Sequence, residues 1–159
     1  MRFPHLGNAH QDKQRSYYSG KKKRHTLKSQ VVIETQNLKV VCTAHGTGTE
    51  HDFQLFKRSK VKPLSIIELL ADKGYQGVKK IHNSSYTPIK KTKKKSLTPS
   101  EREYNRELAK HRIYVEHVIR SLKIFRILAQ PYRNRRRRFG LRFNLIAGLY
   151  NYGVDLAIA

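Results

Sequence analysis

Leu64-Ser65-Ile66-Ile67-Glu68-Leu69-Leu70-Ala71 runs straight into Asp72-Lys73-Gly74-Tyr75-Gln76-Gly77. The first eight residues have the length and apolar content of a buried strand, which sets Asp72 at its carboxyl end, ahead of a glycine-bounded turn. The local sequence also fits a turn aspartate bonding its own backbone before Gly74. A second carboxylate, Glu116, stands in His111-Arg112-Ile113-Tyr114-Val115-Glu116-His117-Val118-Ile119. A strand-end aspartate and a helix-borne glutamate suit a hard divalent cation, which takes carboxylate oxygens from rigid, converging elements. The competing reading of Glu116 is an ion pair with Arg112 or Arg120, each one helical turn away.

Outward from that stretch the pattern is α/β, in one domain. Residues 1–24 lack apolar periodicity and read as a loop, and residues 26–90 as the sheet core. Val31-Val32-Ile33 marks a strand over Thr26–Thr35, and Val40-Val41 a second over Leu38–Ala44. Gln36-Asn37 suits a tight hairpin between them. Asp52 is placed to cap a short helix reaching Ser59. Val78 to Asn83 fits one or two helical turns, Tyr86 to Ile89 a last extended piece, and Lys90 to Lys95 a charged loop. Thr98-Pro99-Ser100-Glu101 is a capping box with proline at the first helical position, opening a helix over 98–128. Tyr104, Leu108, His111, Val115, Val118, Leu122 and Phe125 form its apolar stripe, with Glu116 beside it. Pro131 ends it, a basic linker Arg133–Arg138 follows, and a final apolar helix covers 139–158.

Thirty-four Lys and Arg against 11 Asp and Glu give a net charge of +23 in 159 residues, which points to a polyanionic partner, nucleic acid first. Lys21, Lys22, Lys23, Arg24 and Lys28 read as phosphate contacts that position a duplex, or as a solvated rim. Arg112, Arg120 and Lys123 share the side of Glu116 and would surround it with positive charge. His25 and His117 are candidates for phosphate contact, and Tyr75 for packing under its turn. The single cysteine, Cys42, excludes an internal disulfide and a Cys-x-x-Cys zinc site. No apolar leader is evident, and the run Leu145–Ala159, interrupted by Asn151 and Asp155, is too short for a membrane span. The expectation is a soluble, cytoplasmic protein.

Tyr18-Ser19-Gly20-Lys21-Lys22-Lys23-Arg24-His25-Thr26-Leu27-Lys28, Ala71-Asp72-Lys73-Gly74-Tyr75-Gln76-Gly77 and Val115-Glu116-His117-Val118-Ile119-Arg120-Ser121-Leu122-Lys123 follow one another in that order. From about Gln14 to Tyr152, the chain resembles the catalytic domain of DDE superfamily transposases of bacterial insertion sequences. The resemblance implies a ribonuclease-H-like fold, with a mixed β-sheet flanked by helices and two C-terminal helices. It implies two divalent ions, Mg²⁺ (or Mn²⁺), held by Asp, Asp and Glu, with Asp72 matching the second acid and Glu116 the third. The first acid would end a strand upstream of the Tyr-Ser-Gly-Lys tract. Asp12 has no apolar run before it, so that strand is expected to be missing and the chain to be the C-terminal portion of a transposase, inactive alone or half of a split protein. Implied partners are double-stranded DNA, at transposon ends and target, and a homo-oligomer or the separate N-terminal half, on nucleoid DNA. The alternative is a non-enzymatic basic nucleic-acid-binding protein.

Overall fold

The computed structural model describes residues 17–19, 23–92, 96–130, 132 and 136–158. A short antiparallel pair, β1 (Tyr18–Ser19) and β2 (Arg24–His25), leads into β3 (Leu27–Ile33), which pairs antiparallel with β4 (Val40–Thr47). The register runs from Leu27 opposite Thr47 to Val32 opposite Cys42, with an irregularity before Ile33 meets Val40. Instead of a two-residue turn at Gln36-Asn37, the loop is closed by the Glu34 N–H donating to the Lys39 carbonyl at 2.9 Å. The Asn37 side chain fills that loop, accepting from the Lys39 N–H and donating to Glu34.

Strand alternation gives the hairpin two faces. Leu27, Val31 and Ile33 point to a core of Val40, Val118, Leu122, Phe139, Phe143, Ile146 and Ala147. Gln30 points the other way, donating to the Ser59 hydroxyl at 3.5 Å. That second face is covered by α1 (Asp52–Ser59), which buries Leu55 and Phe56. His51, not Asp52, caps α1: its Nδ1 accepts from the Phe53 N–H, and Asp52 becomes the first helical residue, where its charge favours the helix dipole.

The expected buried strand over Leu64–Ala71 is reduced to β5 (Leu69–Leu70), paired in parallel with β6 (Ser85–Tyr86). The run curls before it extends, because the Ile67 N–H donates to the Leu64 carbonyl at 2.9 Å, and this leaves Leu64, Ile66 and Ile67 exposed. His82 anchors the limb, its ring nitrogens 3.0 Å from the Ser85 hydroxyl and 3.0 Å from the Leu64 carbonyl. Among the described residues the strands therefore form three two-stranded pairs rather than one continuous mixed sheet.

The capping box forms as the sequence indicates and opens α2 (Pro99–Lys123). The long helix is broken sooner than expected: Phe125 takes an extended backbone, and a short α3 (Arg126–Ala129) follows, which brings Ile127 and Leu128 against the core. Val118 and Leu122 are buried, whereas His111 and Phe125 of the apolar stripe are exposed. The last helix, α4 (Phe139–Ile158), lies against β4 and α2. Asn151 clamps it to the start of β4, accepting from the Val40 N–H at 2.8 Å and donating to the Val40 carbonyl at 2.9 Å. The molecule is thus mixed α/β, with helices on both faces of a central hairpin. Asp12, Lys21, Lys22, Pro131, Arg133–Arg135 and Lys93–Lys95 lie outside the described residues.

Candidate active site

Asp72 follows directly on the β5–β6 pair, whose last rung is the Ala71 N–H donating to the Tyr86 carbonyl at 2.9 Å. From there it caps a single 3₁₀ turn, Lys73–Tyr75, its Oδ1 accepting from the Lys73 N–H at 2.7 Å. The turn role and the strand-end position are therefore both realised in one residue.

The turn is wedged against the start of α1. A β-carbon on Gly74 would stand 2.2 Å from Asp52 Oδ2, and Gly77, at φ 94°, lies under the Phe53 ring. Only glycine meets both demands at those positions. Tyr75 packs edge-on against Phe56, with ring centroids 6.2 Å apart. Burial first, then the charges of Asp52 and Asp72, push its hydroxyl pKa up to about 12. Asp52 in turn pairs with Lys28 Nζ at 3.0 Å, and Lys28 also donates to the Glu50 carbonyl.

Two contacts hold the Asp72 turn over α2. Gln76 donates to the Pro88 carbonyl at 3.0 Å. Asn105 of α2 accepts from the Ile89 N–H at 2.8 Å and donates to the Ile89 carbonyl at 3.0 Å. Further along the helix, Arg112 lies between the two acids. Its Nη1 is 3.1 Å from Asp72 Oδ1, and its Nε is 3.1 Å from Glu116 Oε1. The three side chains are about half exposed, at 51 % for Asp72, 54 % for Arg112 and 62 % for Glu116, so water reaches all of them. Glu116, Ile119, Arg120 and Lys123 line a shallow depression of about 310 Å³ beside this bridge.

Asp72, Arg112, Glu116, Arg120 and Lys123 are thus gathered on one surface. Lys28 is committed to Asp52, which lies against Gly74 of the turn. Lys23 lies in the turn before β2 and His25 on β2, edge-on to Tyr18, and among the described residues no hydrogen bond or ion pair joins them to either acid. Arg24 lies on β2 opposite Ser19. His117 is exposed on α2. Sequence reasoning missed Asp52 as a neighbour of the Asp72 turn and Asn105 as its anchor. The glycines at 74 and 77 signalled a close approach without saying to what.

The oxygen donors fit one hard divalent ion, because Mg²⁺ is held by one or two carboxylates and keeps several waters. Among the described residues no group of three or more His, Cys, Asp or Glu side chains is placed to hold a metal. Nor is any helix among them long and apolar enough to cross a membrane.

The DDE superfamily endonuclease family matches residues 6–151, and the chain belongs to that family. Endonucleases of this kind generally depend on a divalent metal. Over 143 residues the chain is 57 % identical to a protein of Microchaete diplosiphon described as a probable transposase for insertion sequence element IS702. The match covers 90 % of this chain and 52 % of that relative, so the chain spans about half the relative's length. No solved structure matches.

Proposed function

We propose that this chain is the carboxylate-bearing part of an insertion-sequence transposase that cuts double-stranded DNA at transposon ends and transfers the cut strand to a target. One observation supports the reading above the rest: Asp72 and Glu116, from a strand end and a helix far apart in the chain, converge on the single guanidinium of Arg112. Asp72 and Glu116 would hold Mg²⁺ (or Mn²⁺). Such an ion supplies a Lewis acid for the phosphoryl oxygens and an activated water or 3′-hydroxyl for in-line displacement. Two carboxylates suit one ion held weakly, and the pair of ions expected for the family calls for more donors than these residues bring together. Arg120 and Lys123 neutralise backbone phosphates beside Glu116, and the net charge of +23 draws DNA to the whole surface. Residues 1–159 act as one domain, on nucleoid DNA in the cytoplasm, within a homo-oligomer or together with further transposase sequence.

The second reading is a basic nucleic-acid-binding protein without metal chemistry, favoured by the charge and by the ion pairs that already satisfy both acids. Asp72→Asn separates the two. Under the transposase reading, binding of Mn²⁺, followed by its paramagnetic resonance signal, falls by about tenfold or more while affinity for a DNA duplex is kept or raised. Unchanged Mn²⁺ binding in that variant favours the second reading.

A further inference from the structure

Arg112 stands out because one side chain reaches both acids: among the described residues its guanidinium is the sole contact joining Asp72 to Glu116. The two carboxylates use different nitrogens, Nη1 for Asp72 and Nε for Glu116, so a single planar fork fixes the separation and direction of both. We propose that Arg112 is a resident cation that competes with divalent metal for Asp72 and Glu116, holding the two carboxylates together until metal displaces it. This rests on the metal reading of the two acids given above, and it makes Arg112 a positioning residue rather than a catalytic one.

The charge arithmetic favours exchange over a permanent bridge. Two carboxylates and one guanidinium leave a net charge of −1, so the bridged site still attracts a cation. A divalent ion on the same oxygens brings the acids to neutrality and leaves Arg112 surplus, repelled by the ion. Arg112 is half exposed, so its side chain can swing into solvent without opening the core. Once displaced, the guanidinium is free to take a phosphate oxygen, for which its fork geometry is suited. Metal loading would thereby convert one surface from a carboxylate clamp into a cationic seat for the DNA backbone.

The test is a Mn²⁺ titration of the full chain at fixed ionic strength, reading free Mn²⁺ by paramagnetic resonance. The proteins compared are the parent, Arg112→Gln, Arg112→Lys, Arg106→Gln and Asp72→Asn. Arg112→Gln should bind Mn²⁺ roughly tenfold more tightly than the parent, the scale of losing two half-exposed ion pairs. Arg112→Lys, which keeps the charge and loses the fork, should fall between them, and Arg106→Gln, which removes an α2 cation paired with Glu103, should stay within about twofold of the parent. Equal or weaker binding by Arg112→Gln, with the parent binding above the Asp72→Asn baseline, would overturn the competition while leaving the metal site standing. An equal gain in Arg106→Gln would also overturn it, by reducing the effect to general charge. If neither the parent nor Arg112→Gln exceeds the Asp72→Asn baseline, the metal reading itself fails and the inference goes with it.

Discussion

The body of the molecule and the limb that carries Asp72 are held together by different physics. In the body, the β3–β4 hairpin is packed on one face by Val118, Leu122, Phe139, Phe143, Ile146 and Ala147 and on the other by Leu55 and Phe56. The limb, from Leu64 to Ile89, buries Val78, His82 and Ser85 and leaves Ile66 at 85 % exposure. Its shape comes from hydrogen bonds: the two-residue β5–β6 pair, the His82 clamp, the Asp72 turn and the Asn105 tie to α2. Glu116 is thus carried by a helix rooted in the apolar core, and Asp72 by a segment whose polar ties are joined by the buried Val78 and by Tyr75 packed on Phe56.

Removing apolar bulk from the body should have the largest effect. Phe143 is buried and tilted against both His45 and Phe139, so Phe143→Ala should cost about 3–5 kcal/mol in denaturant unfolding. A cost below about 1 kcal/mol would mean that the hairpin–helix core is not what holds the fold. The limb should respond to loss of a polar tie instead. Asn105→Ala removes both hydrogen bonds to Ile89, and about 1 kcal/mol should be lost from the limb. Hydrogen exchange should quicken at Ile89 and Ala71 while Val31 and Thr43 keep their protection. Equal quickening in both regions would erase the distinction between them.

A smaller effect should come from pH. Burial between Phe139 and Phe143 holds the His45 pKa below its ordinary 6.5. The unfolded chain therefore binds this proton more readily than the folded one. The contribution of neutral His45 is intact above pH 6.5 and declines as pH falls through 6.5 towards the folded value. The melting temperature should drop between pH 7.5 and 5.5, and His45→Gln should flatten that slope. An unchanged slope in the variant would assign the pH dependence to other groups.

Local chemistry made much of the body legible in the sequence. Thr98, Pro99 and Glu101 announced α2, the β-branched runs announced β3 and β4, and the helix reaching Ser59 was readable although its cap is His51 rather than Asp52. The limb was less legible because an apolar run without periodicity does not reveal its partners. Leu64–Ala71 has the composition of a buried strand, yet its partner, β6, is two residues long and the run turns back at Ile67. The break at Phe125 carries neither glycine nor proline; it follows from the packing of Ile127 and Leu128. Spacing exposed the pairing of Arg112 with Glu116, one turn apart, but not that of Arg112 with Asp72, which depends on the Asn105 tie across the fold.

If Asp72 and Glu116 act on one ion, their contributions to its binding are not independent. A double-mutant cycle in Mn²⁺ affinity, comparing the parent chain with Asp72→Asn, Glu116→Gln and both together, tests it most directly. Two ligands of one ion predict that either substitution alone removes most of the binding and that the second adds little. Losses that simply add, or a single variant that binds as the parent does, would contradict it.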